Sequence, residues 1–155
     1  MTSPIDATEM YHVGIMVPDI EEAKARFAAA GGYRWNETKT GNLLVRLGDG
    51  TEYMQQMQYV YSQDAPHVEL VQEVPGTPWS AAPNVATHHI GYLCDDVATT
   101  IKRLTETGFT LEVCAVIDGA PALFAYLLDP VGIRIEIVDR TIVPEYLRAA
   151  VARSR

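Results

Sequence analysis

Two glutamates and two histidines stand out because they interrupt short runs of apolar residues. Glu69 and Glu136 are each flanked on both sides by apolar neighbours. Since side chains alternate faces along a β-strand, each glutamate is expected to point away from the face on which its neighbours pack. A carboxylate buried there requires a cation, a metal ion or a hydrogen-bond donor beside it. His12 and His89 lie in other strand-like runs and could supply imidazole ligands.

An internal repeat relates these positions to one another. Residues 11–20 match residues 88–97, and the match continues through a helix to its glycine stop. At one constant offset the paired residues are His12 with His89, Gly14 with Gly91, Asp19 with Asp96, Phe27 with Leu104, and Gly31 with Gly108. Because a two-fold repeat places equivalent residues at equivalent distances from its axis, we expect both histidines and both glutamates to converge on one point.

The resulting set of two imidazoles and two carboxylates suits a divalent metal ion, with room left for water or substrate. Zn²⁺, Ni²⁺, Co²⁺, Mn²⁺ and Fe²⁺ all accept such ligands, and the sequence does not choose among them. Taken singly, a histidine or glutamate on a strand is more often a packed or solvent-facing residue than a ligand. The repeat links the four positions, so the sequence predicts a metal site at His12, Glu69, His89 and Glu136.

The elements that must position these residues form a predicted α+β fold with two tandem βαβββ units in one domain spanning residues 1–155. The units cover about residues 11–75 and 88–140, and residues 75–87 form the linker. Strands are predicted at residues 11–17, 42–47, 53–61, 67–74, 88–94, 110–116, 123–128 and 133–138. Asp19 and Asp96 are predicted N-caps of the two internal helices, and glycines follow their last apolar positions. A C-terminal helix at about residues 144–152 is expected to cap the domain or to contact a second subunit.

Composition and charge restrict the classes of function. The chain of 155 residues carries a formal net charge of −8 and has no cluster of basic residues, so nucleic-acid binding is not expected. The two cysteines, Cys94 and Cys114, lie in apolar strand-like runs and are expected to be packed core residues. No apolar run is long enough to span a bilayer, and residues 1–10 lack the apolar core of a signal peptide. A cytoplasmic location with no membrane contact is the expectation.

The paired units, with a histidine in the first strand and a glutamate in the last of each, resemble the vicinal oxygen chelate superfamily. That superfamily includes the glyoxalase I, methylmalonyl-CoA epimerase, fosfomycin-resistance and extradiol dioxygenase families. The resemblance covers about residues 11–140. The motif THHIGY at residues 87–92, with DDV at 95–97, and the motif VELV at 68–71 are most similar to the epimerase branch.

The resemblance implies that the sheet curls into a half-barrel around a central cavity that holds one divalent metal ion. His12, Glu69, His89 and Glu136 each match a ligand position of the family. His88 matches none and is expected to point to the opposite face, with a structural role or a contact outside the ligand set. Family members often pair, so a homodimer is also expected.

The family's chemistry implies an isomerase, epimerase or lyase in which the metal ion stabilises an enolate of a small carbonyl or acyl substrate. Glu136 is our preferred catalytic base, with Glu69 as the rival, and Arg134 on the same face could steady Glu136 or bind a substrate anion. Gln56 and Tyr126 are further candidate substrate-binding residues. Epimerases of this group carry an extra acidic residue on the strand at residues 53–59, where this chain has glutamines. A glutamine cannot shuttle a proton at neutral pH, which argues against a standard methylmalonyl-CoA epimerase.

Three alternatives remain open from the sequence. The first is a metal-free protein that binds or sequesters a small molecule, of the bleomycin-resistance kind. The second is a ring-cleaving dioxygenase with Fe²⁺ bound by two histidines and one glutamate. The third is a metal-free enzyme that tailors a natural product, in which the histidines and glutamates act directly as acid and base.

Overall fold

The computed structural model describes residues 2–153, and the side chains of residues 2–151. In chain order the strands and α-helices are β1 (Met10–Val17), α1 (Ile20–Gly31), β2 (Lys39–Leu47), β3 (Glu52–Tyr61), β4 (Val68–Gln72), β5 (His89–Cys94), α2 (Val97–Glu106), β6 (Thr110–Ile117), β7 (Ala120–Leu128), β8 (Arg134–Asp139) and α3 (Glu145–Arg153). Short 3₁₀ turns at Ala7–Glu9 and Arg140–Ile142 precede β1 and α3. The α+β class predicted from the sequence is therefore confirmed.

Both internal helices begin at the aspartates predicted to cap them. The Asp19 carboxylate accepts a hydrogen bond from the backbone N–H of Glu22 at 2.9 Å. The Asp96 carboxylate accepts one from the backbone N–H of Thr99 at 2.6 Å. Each bond satisfies one of the free N–H groups in the first turn of a helix. The first helix ends at Gly32, whose φ of 69° is the left-handed conformation that glycine adopts without steric cost.

The eight strands form one closed barrel in the order β1-β4-β3-β2-β6-β7-β8-β5. The pairs β1–β4 and β5–β8 are parallel, and the other pairs are antiparallel. The half-barrel expected from the resemblance is thus a complete barrel. It closes because the first four strands join the last four twice, through β1–β5 and through β2–β6.

Apolar side chains pack both outside and inside the barrel. On the outer surface α1 buries Ile20 and Ala23 against β-strand residues such as Leu70. Further round the barrel α2 buries its own apolar face in a cluster that contains Cys94 and Cys114, both free and buried as predicted. These two helices leave the interior of the barrel to a separate set of side chains.

The C-terminal helix α3 packs against the barrel of its own chain. Leu147 is 0 % exposed and Val151 is 5 % exposed, and both join the interior cluster that includes Tyr11 and Val143. The apolar face predicted for this helix is therefore largely covered within the domain. Among residues 2–153 no helix is long and apolar enough to cross a membrane.

Candidate metal centre

The two histidines reach each other through reciprocal pairing with two glycines. In the antiparallel pair β1–β5, His12 stands opposite Gly91 and His89 stands opposite Gly14. Each imidazole lies across the glycine of the other strand, since a Cβ atom at Gly91 would collide with the His12 ring and one at Gly14 with the His89 ring. The missing side chains are what allow the two rings to fold inward and meet.

The same two glycines set the positions of the glutamates. In the parallel pair β1–β4, Gly14 is aligned with Glu69, and in the parallel pair β5–β8, Gly91 is aligned with Glu136. Each glycine therefore has a glutamate on one neighbouring strand and a histidine on the other. This register, repeated in the two halves of the barrel, brings all four side chains to the same place.

The four side chains meet closely in the barrel interior. The two Nε2 atoms of His12 and His89 are 2.9 Å apart. Glu69 Oε2 lies 3.2 Å from His12 Nε2 and 3.0 Å from His89 Nε2. Glu136 Oε2 lies 3.0 Å from His12 Nε2 and 3.2 Å from His89 Nε2. All four residues are buried, and one ligand atom of each lies within 4.8 Å of the others.

These atoms face one another as metal ligands do, and hydrogen bonding alone does not account for their positions. Glu136 Oε2 has no hydrogen-bond partner among the described residues, although both imidazole nitrogens are close to it. Ligand atoms about 2.1 Å from a divalent ion are about 3.0 Å from their neighbours in octahedral coordination and about 3.4 Å apart in tetrahedral coordination. The five distances between histidines or from histidine to glutamate fit this range. The donor set therefore fits a divalent ion.

Opposite charges hold the four groups together in the absence of a cation. Burial favours protonation of Glu69 and Glu136, but the adjacent His12 and His89 hold the pKa of both carboxyls below the usual value. Burial opposes charging of the histidines, but the glutamates raise the pKa of His12 and raise the pKa of His89 to about 9. A histidine must lose this proton before its nitrogen can bind a metal ion, so metal and protons compete for the site.

His88 fixes the far side of the His89 ring. Its Nε2 lies 2.7 Å from the Pro78 carbonyl oxygen, and its Nδ1 lies 2.9 Å from His89 Nδ1. Burial, together with His89 and Arg134, lowers the pKa of His88 to about 3, so the ring is neutral. A carbonyl only accepts, so Nε2 of His88 donates and its Nδ1 must accept from the Nδ1–H of His89. Once His89 loses its additional proton, the lone pair of the neutral ring is therefore left on Nε2, at the cluster. The side chain of His88 thus contacts His89 directly, whereas the sequence predicted that it would point to the opposite face.

A cavity of about 760 Å³ opens beside the cluster, and Glu69 and Glu136 form part of its wall. Tyr126, predicted as a cavity residue, lines it and is 1 % exposed. The remaining wall is mainly apolar or aromatic and includes Leu43, Met57, Tyr59, Tyr61, Phe124 and Leu147. Sequence reasoning missed these residues. The alternation Met57, Tyr59, Tyr61 along one strand is a signal that could have identified three of them.

Two predicted substrate-binding residues lie elsewhere. The Arg134 guanidinium donates to both oxygens of Glu112, at 2.6 and 2.9 Å, and to the backbone carbonyl of His88. It is therefore engaged outside the described cavity wall and is not free to bind an anion there. Gln56 is exposed and is absent from the cavity-lining residues of β3, which are Met57, Tyr59, Val60 and Tyr61. The ion pair with Glu112 accounts for the correction at Arg134, and the position of Gln56 on the exposed side of β3 accounts for the other.

Comparisons with known proteins give a family match for most of the chain. Residues 11–126 match the family model described as the Glyoxalase/Bleomycin resistance protein/Dioxygenase superfamily. Among the curated proteins no sequence match is found.

Solved structures share the fold at low sequence identity. Methylmalonyl-CoA epimerase from Mycobacterium tuberculosis superposes with a TM-score of 0.59 at 19% identity, covering 97% of this chain and 95% of that one. A variant of the Streptomyces coelicolor methylmalonyl-CoA epimerase in complex with 2-nitronate-propionyl-CoA gives 0.59 at 16% identity, covering 90% and 99%. A hypothetical protein from Bacillus halodurans C-125 gives 0.58 at 17% identity, covering 88% and 96%.

Proposed function

Because the chain belongs to the Glyoxalase/Bleomycin resistance protein/Dioxygenase superfamily, the vicinal oxygen chelate group that its motifs resemble, we propose that it is a divalent-metal-dependent isomerase, epimerase or lyase. Its substrate would be a small carbonyl or acyl compound that loses a proton from the carbon beside the carbonyl. The observation that carries the proposal is the convergence of four buried ligand atoms at the wall of a cavity large enough for such a substrate.

In this proposal His12, His89, Glu69 and Glu136 hold the metal ion. When bound, a divalent ion supplies a Lewis acid that stabilises negative charge on a substrate oxygen. Buried tyrosines surround the same region, and burial followed by the charges of the glutamates keeps the pKa of Tyr11, Tyr61 and Tyr126 well above the usual value. Their hydroxyls stay protonated and remain neutral hydrogen-bonding groups toward a ligand.

Glu136 is the proposed base. Its carboxylate lines the cavity, and Oε2 has no hydrogen-bond partner among the described residues. A carboxylate in that position could take a proton from a substrate carbon and return it to the same or a neighbouring atom. Glu69 is the alternative base, and its Oε2 lies 3.0 Å from His89 Nε2. Arg134 does not steady Glu136 directly, since its guanidinium is bound to Glu112.

The epimerase neighbours support a proton-transfer reaction of this kind. Epimerisation beside a carbonyl requires that a proton be removed from one face of a carbon and returned to the other. A second candidate is a metal-free protein that binds a small molecule, and the size and apolar lining of the cavity favour it. The two differ in whether the four-residue cluster binds a metal ion.

Metal analysis separates the two candidates. The protein is purified without chelators, and its metal content is measured beside that of His89→Ala, Glu136→Ala and, as a control, the exposed helix variant Glu106→Ala. We expect near-stoichiometric divalent metal in the wild type and in the control, and its loss in the other two variants. A wild type that stays metal-free after incubation with each candidate ion, yet binds an organic ligand, would establish the binding protein instead.

A further inference from the structure

The walls of the cavity contain few charges that could attract a highly charged substrate. Of the described side chains that line it, Lys39 is the one basic residue, and its ammonium group lies 3.4 Å from the Glu37 carboxylate. Glu37, Glu69 and Glu136 supply three carboxylates. A divalent ion at the cluster would bring the formal charge of the wall to zero. The pocket is thus balanced for a ligand with little or no net charge.

Four arginines outside the described cavity wall are paired with carboxylates. Arg34 is paired with Asp64, Arg46 with Glu52, and Arg134 with Glu112. Arg140 forms ion pairs with Glu9 and Asp95. None of these arginines is among the cavity-lining side chains of the described part of the chain. A thioester of coenzyme A, with its several phosphate charges, would meet Lys39 as the one cation on the described cavity wall.

Aromatic rings occupy two separate sides of the cavity. On one side Tyr59 and Tyr61 of β3 have ring centres 5.9 Å apart, and Tyr11 of β1 follows at 6.3 Å from Tyr61. On another side Phe124 and Tyr126 of β7 have ring centres 5.8 Å apart. In the barrel order β3 and β7 are separated by β2 and β6. Flat, apolar ring systems are the ligands that such walls contact best.

A bulge in β7 brings additional apolar surface into the cavity. Cys114 is paired with Ala125, whereas the next residue of β6, Ala115, is paired with Ala122, so Leu123 and Phe124 are extra residues. Leu123 has a φ of 64°, a conformation that is sterically unfavourable for leucine. Both bulge residues, Leu123 and Phe124, line the cavity. Such strain is typical of functional sites.

We propose that the substrate is a neutral, polycyclic aromatic ketone that carries a second oxygen next to its carbonyl, and that it is not a coenzyme A thioester. The two neighbouring oxygens lie at the four-residue cluster, while the rings lie between the tyrosines of β3 and the Leu123–Phe124 bulge. This inference rests on the proposed function, since the orientation of the two oxygens depends on a metal ion at the cluster. The cavity volume of about 760 Å³ is within the range of about 300–1,000 Å³ that accommodates molecules of drug size.

The chemical step is a proton transfer without oxidation. The Glu136 carboxylate removes the proton from the carbon that bears the second oxygen. The electron pair of that C–H bond forms a C=C bond to the carbonyl carbon, and the π pair of the carbonyl group moves onto its oxygen. Return of a proton to the same carbon regenerates the ketone. In D₂O the returning atom is deuterium, so one C–H becomes C–D and nothing else changes.

The test compares two probes on the full-length, metal-loaded protein at physiological ionic strength. 3-Hydroxyflavanone is neutral and has three rings and adjacent oxygens, whereas methylmalonyl-CoA is highly anionic. Calorimetry should show 3-hydroxyflavanone binding at least about tenfold more tightly, and proton NMR in D₂O should show exchange at its C3 position that is lost in Glu136→Gln. Equal or tighter binding of methylmalonyl-CoA, or no binding of 3-hydroxyflavanone, would overturn the inference.

Two variants locate the ligand in this cavity. Phe124→Ala should weaken 3-hydroxyflavanone binding about tenfold, since it removes one aromatic wall, whereas the exposed variant Val131→Ala should not. Thr40→Arg adds a cation to the cavity wall without changing the core, so it should strengthen methylmalonyl-CoA binding several-fold. The control is Thr105→Arg, which adds the same cation at an exposed position on α2. Unchanged affinities in both Phe124→Ala and Thr40→Arg would place the ligand elsewhere and refute the inference.

Metal analysis of the same samples separates the inference from the proposed function. Stoichiometric metal without 3-hydroxyflavanone binding would refute the substrate class and leave metal dependence intact. Metal-free protein that binds 3-hydroxyflavanone, with the affinity reduced in Phe124→Ala, would support the substrate class and refute metal dependence.

Discussion

At the scale of single residues, the site depends on two glycines, which have no side chains, as much as on its histidines and glutamates. Gly14 and Gly91 leave the space that the His89 and His12 rings occupy. The sequence repeat paired these glycines with each other, but it did not show that each one lies beneath the histidine of the other half. Both positions require glycine for steric reasons. A substitution to alanine, which adds one methyl group, tests this requirement.

Gly91→Ala is expected to displace the His12 ring. The added Cβ would overlap that ring, so we expect loss of metal binding and a lower free energy of unfolding, by about 1–3 kcal/mol. Gly41→Ala is the matched control, because a Cβ at this strand glycine would meet no atom within 4 Å. Metal analysis and urea denaturation measure the two effects. Stoichiometric metal in Gly91→Ala would contradict the proposed position of His12.

His88→Phe is expected to weaken metal binding without removing a ligand. Phenylalanine cannot accept a hydrogen bond from the Nδ1–H of His89. The His89 ring therefore loses the contact that keeps its lone pair on Nε2. Loss of such a supporting hydrogen bond typically lowers metal affinity about 10–100-fold. Competition with a chelating dye measures the affinity, and ¹⁵N NMR reports which nitrogen of His89 is protonated. His67→Phe is the control, because it alters a buried histidine that contacts the Ser62 carbonyl and not His89. This variant should leave the tautomer of His89 unchanged.

At the scale of elements, local signals set the ends of the helices, and strand pairing sets what faces the cavity. The N-caps Asp19 and Asp96 act through contacts within a single turn, which is why the sequence identified both. The bulge in β7 is different, because it exists only in relation to the residues of β6 that pair on either side of it. No run of residues in β7 alone indicates that Leu123 and Phe124 both face inward.

Asp96→Ala should lower the stability of the protein without affecting the metal centre. The variant loses the hydrogen bond to the Thr99 N–H, and the expected cost is about 1 kcal/mol in the free energy of unfolding. Urea denaturation should show a lower midpoint with an unchanged slope. Glu106→Ala, at the exposed end of the same helix, should change stability by less than about 0.5 kcal/mol. Metal loss in Asp96→Ala would show that the helix positions the site.

At the scale of the whole molecule, the four candidate ligands come from β1, β4, β5 and β8, so the proposed metal binding would be coupled to the folded state. An ion that binds only the folded protein stabilises it, by about 4 kcal/mol when its concentration is a thousand times its dissociation constant. Chelator treatment should therefore lower the melting temperature, and the added ion should restore it. A Glu69→Gln/Glu136→Gln double variant should show no response to either.

The metal affinity should rise with pH. Because the glutamates raise the pKa of His89 to about 9 in the metal-free protein, a proton occupies the ligand nitrogen at neutral pH. Raising the pH removes this competitor, so the affinity should increase from about pH 7 and level off above about pH 9. Calorimetry in buffers of different ionisation enthalpy should detect the proton released on binding. An affinity that is flat with pH, with no proton release, would contradict the charge state assigned to the cluster.

The sequence by itself determined the α+β class, the order of the elements, the two helix N-caps and the four residues that meet at the centre. The class, the order of the elements and the caps follow from periodicity and capping chemistry within short stretches of chain, whereas the four central residues follow from the internal repeat. Only the tertiary structure decided that the barrel closes, that Arg134 binds Glu112, and that Gln56 faces outward. It also decided that α3 and the β7 bulge line the cavity. Those outcomes depend on register and packing between segments far apart in sequence, where a shift of one residue reverses which side chain faces inward.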